Sequence, residues 1–91
     1  MFVVISYDIP DNRRRSRVAR ILDDVATRVQ YSVFEGVMEE PQLQATVARL
    51  QAVILPSEDR VRIYRLCAGC LKMARVLGEG ALVNVPDVVV L

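Results

Sequence analysis

The stretch FVVISYDIP at residues 2–10 decides the fold, because it contains a short β-strand that ends abruptly in a loop. The strand is mostly β-branched and aromatic, and it ends at Asp8-Ile9-Pro10. From Asp11 onwards the apolar residues recur at helical spacing, with arginines largely on the opposite face. We therefore predict a helix at about residues 12–27, with Asp11 or Asn12 as its N-cap.

The middle of the chain continues with a second strand region and a second helix. Residues 29–34 alternate as in a strand, and Gly36 then interrupts the pattern. This fits a bulge, a kink or a break into two short strands, and the sequence does not decide among them. Pro41 suits the first turn of a helix, and apolar residues at helical spacing follow it until Pro56.

The last part of the chain contains a third strand region and an apolar terminus. Residues 59–67 alternate in the manner of a strand, and we place a turn at Ala68-Gly69 that leads into a strand at residues 73–77. The chain ends with the apolar stretch Val88 to Leu91. A bare edge strand of this kind promotes aggregation unless another strand pairs with it. In a homodimer it would cross to the sheet of the partner subunit.

The order of these elements predicts an α+β fold. Strand, helix, strand, helix and strand in succession are typical of a ferredoxin-like, split βαβ sandwich, in which two helices cover one face of an antiparallel sheet. A chain of 91 residues suffices for one such domain and gains stability from a partner subunit. We place the domain at residues 1–80 and a C-terminal strand extension, exchanged with or packed on the partner, at residues 81–91.

Positive charge is concentrated in one segment, although the net charge is only +1. Eleven of the 12 basic residues are arginines, and five of these lie between residues 12 and 20 without any acidic residue. Arginine presents a planar fork that suits phosphate, so Arg13, Arg14, Arg15 and Arg17 are candidates for binding a nucleic-acid backbone. A genomic preference for arginine codons and an ordinary solvated helix face are the alternatives.

The sequence shows no targeting or membrane signal. Met1 leads directly into the first strand, and no apolar run approaches the ~20 residues that cross a bilayer. We therefore expect a cytoplasmic protein without membrane contact, in which both cysteines are reduced.

Several kinds of chemistry are excluded. The chain has no histidine, which removes Ser-His-Asp and Cys-His catalysis, and no glycine-rich phosphate loop follows the first strand. Cys67 and Cys70 have the spacing of half a zinc site, but a structural zinc needs four ligands. A redox pair normally opens a helix, whereas these cysteines lie between two predicted strands. We interpret them as a turn with two packed thiols, with a zinc site shared across a dimer and a redox pair as alternatives.

Asp8 is the main candidate for chemistry. It lies at the end of a buried strand, where a rigid element positions a carboxylate near solvent. Mg²⁺ (or Mn²⁺) retains several waters and needs only one or two protein carboxylates together with phosphate oxygens. A second copy of Asp8 across a twofold axis would complete a site that activates water against a phosphodiester. An Asx turn or a helix cap is the structural alternative.

Five motifs recur in the order of a known family. They are the strand end Tyr7-Asp8-Ile9, the helix entry Asn12-Arg13-Arg14-Arg15, RVQYSVFEG at residues 28–36, DRVRIYRLC at residues 59–67 with Cys70 and Val76-Leu77-Gly78, and PDVVV at residues 86–90. Together they resemble the CRISPR-associated protein two family, the small core subunit of spacer acquisition. The resemblance covers nearly the whole chain.

The resemblance implies a ferredoxin-like homodimer whose terminal strands complete the partner's sheet. It also implies assembly with the larger CRISPR integrase subunit on a pre-spacer DNA duplex. Family members are described as metal-dependent endonucleases acting on single-stranded RNA or double-stranded DNA, and Asp8 matches the aspartate proposed to bind the metal. Tyr7, Ser32 and Phe34 are candidate neighbours of this site, while Tyr7 and Tyr31 are expected to pack in the core rather than to stack on bases.

Three functions follow as alternatives. The first is a magnesium-dependent endonuclease with paired Asp8, and the second is a non-catalytic adaptor dimer in the integrase complex. The third is a toxin-like ribonuclease of the same fold. Loss of cleavage in Asp8→Asn indicates the first, salt-sensitive duplex binding through helix 1 indicates the second, and gene neighbourhood separates the third.

Overall fold

A computed structural model of the chain describes residues 1–80 and the backbone of Val89–Val90. The elements in chain order are β1 (Phe2–Asp8), α1 (Asn12–Asp23), β2 (Thr27–Gln30), β3 (Val33–Val37), α2 (Glu40–Gln51), β4 (Arg60–Leu66), α3 (Ala68–Lys72), β5 (Arg75–Val76) and β6 (Val89–Val90).

Four strands form one antiparallel sheet in the order β2-β3-β1-β4. The first strand therefore lies inside the sheet, where Ile5 is opposite Phe34 of β3 and Ile63 of β4. Placing the first strand between the third and the fourth is the arrangement of a split βαβ domain. The predicted α+β, ferredoxin-like fold is confirmed.

Both long helices cover the same face of this sheet. Alternation along β1 directs Val3, Ile5 and Tyr7 to that face, where they belong to one buried cluster with the helices. The helix members of the cluster include Val18, Ile21 and Leu22 of α1 and Leu43 and Leu50 of α2. Because side chains alternate, Val4, Ser6 and Asp8 point to the opposite face, which we call the open face.

Helix α1 begins where the sequence predicted and ends earlier. Asp11 is the N-cap, and its carboxylate accepts a hydrogen bond from the backbone N–H of Arg14 at 2.9 Å. The helix ends at Asp23 rather than near residue 27. Asp23 and Asp24 bring two negative charges to the carbonyl end of the helix, which is unfavourable, and the β-branched Thr27 favours the strand that follows.

The strand region after α1 is a hairpin whose turn lies at Tyr31-Ser32. β2 and β3 pair in antiparallel fashion, with a register shift between Arg28 and Gln30 that marks a bulge. Gly36 lies within β3, opposite Val3. The prediction that Gly36 interrupts the strand is wrong, because the break comes earlier in the chain.

Gly36 is a glycine because another part of the backbone passes close to it. A Cβ at this position would lie 3.2 Å from Cα and Cβ of Ala26 and 3.2 Å from the carbonyl oxygen of Val25. These atoms belong to the segment that leaves α1, so the glycine lets this segment pack against β3.

Gly36→Ala is expected to lower the free energy of unfolding by about 1 kcal/mol, since backbone atoms yield less readily than a flexible side chain. Gly69→Ala is the matched control: a Cβ there has only Cys67 Sγ within reach, at 3.9 Å, and alanine favours the helix. Urea unfolding of both variants measures the difference. A Gly36→Ala variant as stable as the wild type would contradict the close approach.

Helix α2 and strand β4 agree with the sequence prediction. α2 carries Pro41 in its first turn and ends at Gln51, before Pro56. β4 spans Arg60–Leu66, within the predicted range of residues 59–67. Val61 and Ile63 of β4 pack against the core cluster.

The segment after β4 differs from the prediction. Residues 68–77 form the short helix α3 and the two-residue strand β5, rather than a turn and a strand at residues 73–77. Cys67 is the N-cap of α3, and its sulfur accepts a hydrogen bond from the backbone N–H of Cys70. This bond satisfies a donor at the start of the helix, which favours helix over a simple turn. Both thiols are exposed, so their interpretation as a turn with packed thiols is wrong.

The chain changes direction at two glycines after β5. Gly78 and Gly80 have φ angles of 87° and 112°, which glycine adopts without a steric penalty. The backbone of β6 pairs in parallel with β5 of the same chain. The remainder of the predicted extension at residues 81–91, and its pairing with a partner subunit, lie outside the described residues. Across the described part of the chain, no helix has the length and apolar character needed to span a membrane.

Candidate functional site

A shallow cavity of about 280 Å³ lies at the end of β1, where Asp8 is the last residue of the strand. Its lining comes from β1, the hairpin turn and β4, and consists of Ser6, Tyr7, Asp8, Ser32, Arg60 and Arg62. The Asp8 side chain is exposed and accepts no hydrogen bond from the residues that the structure describes. Asp11 rather than Asp8 caps α1, so a capping role for Asp8 is excluded.

Two arginines of β4 accompany Asp8 on the open face. Arg60 lies directly opposite Asp8 in the ladder, and Arg62 lies opposite Ser6. Neither side chain makes a hydrogen bond or an ion pair with another residue in the described part of the chain. Neither arginine was predicted from the sequence to belong to the site. Their alternation with Val61 and Ile63, which pack on the core, is the signal that places them on the open face.

Of the three predicted neighbours of Asp8, Tyr7 and Ser32 line the cavity and Phe34 does not. The backbone N–H of Tyr7 donates to the carbonyl of Ser32 at 3.1 Å, which holds the hairpin turn against the end of β1. The Tyr7 ring points into the core and stacks against Phe34, with ring centres 6.2 Å apart. Burial raises the pKa of Tyr7. Phe34 is fully buried and supports Tyr7 from within the core.

Tyr31 lies at the hairpin turn with its ring exposed. Its side chain is 71% exposed, so the core position predicted for it is wrong. Its carbonyl accepts a hydrogen bond from the Tyr7 hydroxyl at 3.3 Å. The buried Tyr7 thus anchors the backbone of a residue whose aromatic face is available next to the cavity-lining Ser32.

The four arginines predicted to bind nucleic acid form two pairs with different surroundings. Arg14 and Arg15 are held by the protein: Arg14 binds an acidic pair described below, and Arg15 donates to the carbonyl of Ile9 at 2.9 Å. The side chains of Arg13 and Arg17 form no hydrogen bond or ion pair with any described residue. In this conformation the second pair is available to a ligand and the first is not.

Asp59 and Arg14 form a clamp between the start of α1 and the start of β4. The Asp59 side chain is fully buried, and Arg14 reaches it through Nε at 2.7 Å and Nη2 at 3.1 Å. Asp59 also accepts the backbone N–H of Leu55 at 2.8 Å, while the exposed Glu58 accepts a further bond from Arg14 at 2.9 Å. The hydrogen bond from Arg14 holds the pKa of Asp59 below its usual value. Because Asp59 immediately precedes Arg60, the clamp helps to fix Arg60 opposite Asp8.

The arginines of α1 that have no described partner form a basic stripe along one side of the helix. Arg13, Arg17 and Arg20 are exposed and spaced three or four residues apart, so they lie on one side of α1. Two shallow grooves run along this basic stripe. Arg49 of α2 borders it and is paired with Asp24 at 3.0 Å.

The Asp8 carboxylate is suited to supply one ligand to a hard divalent cation. A carboxylate oxygen is the ligand type that Mg²⁺ prefers. Within residues 1–80, no three acidic, cysteine or histidine side chains lie together as a metal-binding group. Asp8 therefore fits such an ion only if further oxygens come from a phosphate or from a second copy of the chain.

Comparison with known proteins identifies the family. The family model for CRISPR associated protein Cas2 matches residues 1–74. The chain belongs to this family. This match confirms the family resemblance that the five sequence motifs indicated.

Individual members of the Cas2 family agree with this assignment. The CRISPR-associated endoribonuclease Cas2 1 of Chloroflexus aurantiacus is 42% identical over 81 residues, which are 88% of this chain and 87% of that protein. Streptococcus pyogenes Cas2 at pH 6.5 has a TM-score of 0.74 and 29% identity, over 86% of this chain and all of that one. A chain of a partial Cas6-RT-Cas1–Cas2 complex has a TM-score of 0.68 and 26% identity, over 80% of each chain.

Proposed function

We propose that the chain is a homodimeric subunit of CRISPR adaptation that binds nucleic acid and hydrolyses phosphodiester bonds with a divalent metal ion held by Asp8 of both copies. The names of its relatives support the two halves of this proposal. The Chloroflexus relative is called an endoribonuclease, and a structural neighbour belongs to a complex that contains Cas1. A Cas1-like, larger integrase subunit is the protein partner that we propose.

The observation that carries the proposal is the position of Asp8. A buried strand holds it rigidly, yet its carboxylate accepts no hydrogen bond from any residue the structure describes. A carboxylate that caps no helix and is paired with no described cation makes no evident contribution to folding. It is therefore available for a ligand.

The residues around Asp8 suit a phosphodiester. In such sites Mg²⁺ or Mn²⁺ neutralises charge on phosphate oxygens and makes water a better nucleophile. Asp8 supplies one oxygen ligand from each copy of the chain. Arg60 and Arg62, on the same face, present guanidinium groups that bind phosphate oxygens and orient the backbone for attack.

The open face supports a second copy of the chain. It carries exposed apolar side chains, among them Val37 opposite Phe2 and Tyr64 opposite Val4, each 49% exposed. In addition, the outer edge of β4 has no neighbouring strand in the described sheet. We propose that the open faces meet around a twofold axis. We also propose that the C-terminal strand extension predicted at residues 81–91 pairs with the β4 edge of the other copy, through the side of β6 that faces away from β5.

The test is a cleavage assay with single-stranded RNA and double-stranded DNA, in Mg²⁺, in Mn²⁺ and in excess chelator. The expected result is cleavage that requires the cation, from a species that sediments as a dimer. Undiminished cleavage in chelator would contradict the metal-dependent mechanism. A purely monomeric species that cleaves would contradict the shared site.

A non-catalytic adaptor is the second candidate function, and the basic stripe on α1 favours it. Arg13, Arg17 and Arg20 lie on α1, away from the open face, and they suit a nucleic-acid backbone irrespective of sequence. Both functions can belong to one dimer, with duplex held along α1 and hydrolysis at Asp8. The adaptor alone is indicated if duplex binding is tight and cleavage is absent.

Arg17→Gln is expected to weaken duplex binding by about three- to tenfold and to reduce the slope of log K against log salt by about 1, because one phosphate contact is lost. Arg75→Gln is the matched control, because it removes the same charge from β5. The Arg75 side chain likewise has no described partner. Fluorescence anisotropy at several salt concentrations measures both variants. Equal losses in the two variants would mean that net charge rather than the stripe governs binding.

A further inference from the structure

The two cysteines of the chain lie together at the start of α3 and are exposed. Cys67 Sγ accepts a hydrogen bond from the backbone N–H of Cys70 at 3.3 Å, so the Cys67 sulfur lies against the backbone of the residue that carries the second thiol. The two thiols lie within the first turn of α3 and are not joined. The predicted position of the pair between two strands, which argued against a redox role, is wrong, because the pair opens the short helix α3.

The two thiols have different local environments. The hydrogen bonds that Cys67 receives from the backbone and the thiol of Cys70 lower the pKa of Cys67. The same contact with the Cys67 sulfur raises the pKa of Cys70. α3 has only five residues, so the difference comes from these local donors rather than from a helix dipole. The donors around Cys67 therefore favour the thiolate at Cys67 over the thiolate at Cys70.

We propose that Cys67 and Cys70 form a reversible dithiol–disulfide site that reacts with low-molecular-weight disulfides, with Cys67 as the attacking thiol and Cys70 as the resolving thiol. The proposal is independent of the nuclease site, because it uses only residues at the junction of β4 and α3. Oxidation would tie the N-cap of α3 to its first turn, where the chain leaves the sheet.

The reaction balances with one molecule of glutathione disulfide as the oxidant. The Cys67 thiolate attacks one sulfur, so that a mixed disulfide forms and one glutathione thiolate leaves. Cys70 loses its proton and attacks Cys67 Sγ, which breaks the mixed disulfide and releases the second glutathione. The protein loses two thiol protons, one disulfide forms in it, and the oxidant is reduced to two glutathione thiols.

A shared metal site is less well supported than this couple. A tetrahedral zinc site needs four ligands, and no third cysteine, histidine or carboxylate joins the pair within the described residues. The dithiol–disulfide couple needs only the two thiols that lie together at the start of α3.

The test uses the reduced full-length chain with oxidised glutathione, followed by mass spectrometry and thiol counting. Wild type is expected to lose both thiols without retaining glutathione, and a reductant restores them. Cys70→Ser is expected to accumulate a glutathione adduct on Cys67. Cys67→Ser is expected to react at roughly one third of the wild-type rate or less, since its remaining thiol is the weaker nucleophile at neutral pH.

Three results would overturn the proposal. In the first, wild type keeps both thiols or forms disulfides between chains. In the second, Cys67→Ser and Cys70→Ser react at the same rate. In the third, the thiols react only after treatment with a chelator, which would assign them to a metal site. Serine is tolerated at exposed cysteines, and circular dichroism verifies that each variant is folded.

Discussion

Asp8→Asn is expected to reduce metal-dependent cleavage at least about a hundredfold while leaving the fold unchanged. The substitution keeps the size of the side chain and removes the negative charge that a hard cation requires. In a dimer it removes both protein ligands at once. Folding is unaffected because the Asp8 carboxylate accepts no hydrogen bond from the described residues and is exposed. Gel-based cleavage rates and thermal unfolding of identically purified proteins measure the two effects.

Asp11→Asn is the matched control for this experiment. Asp11 is an exposed aspartate near Asp8 in sequence, and asparagine caps a helix as well as aspartate does. The Asp11→Asn variant should therefore cleave at the wild-type rate. Cleavage that survives in Asp8→Asn would exclude Asp8 as the ligand or reveal a contaminating nuclease. Equal losses in both variants would show a general effect of charge.

Asp59→Ala is expected to lower the midpoint of thermal unfolding by on the order of 10 °C, the largest effect on stability that we predict. Its side chain is fully buried and binds Arg14 through two hydrogen bonds, so its removal leaves the guanidinium without its main partner. The backbone N–H of Leu55 also loses its acceptor. Glu58→Ala is the control, because it removes only the exposed partner of the same arginine. Its midpoint should change by no more than a few degrees.

The contribution of Asp59 should depend on pH in a defined direction. The hydrogen bond from Arg14 lowers the pKa of Asp59 in the folded protein, so the folded state favours the charged form. The resulting stability is complete above the ordinary aspartate pKa of about 3.9 and is lost as the pH falls through the lower, folded value. The difference in midpoint between wild type and Asp59→Ala should therefore shrink on acidification below pH 4. A difference that grows instead would contradict the clamp.

The fold was predictable where the local pattern and the tertiary structure agree. β1 and α1 each show one clear periodicity, and both occur at the predicted start. The hairpin was not predictable in detail, since the requirement for Gly36 comes from Ala26 and Val25, which approach it only in the folded chain. Helix α3 was missed because five residues are too few to show a helical period.

The site was predictable only in the part that is local in sequence. Asp8 is recognisable as a carboxylate that ends a buried strand. Arg60 belongs to the site only because β4 pairs with β1, which the first strand by itself does not reveal. For the same reason Arg14 was assigned to nucleic acid, although its partner is Asp59, far along the chain. Pairing between distant segments decides which arginines remain available.

Stoichiometric binding of Mn²⁺ tests most directly whether two copies of Asp8 share one cation. Electron paramagnetic resonance distinguishes free from bound Mn²⁺, so a titration of the protein gives the number of ions bound per chain without any cleavage assay. We expect one ion for every two chains in the wild type and loss of this binding in Asp8→Asn. Binding of Mn²⁺ to Asp8→Asn with the wild-type stoichiometry and affinity would contradict it.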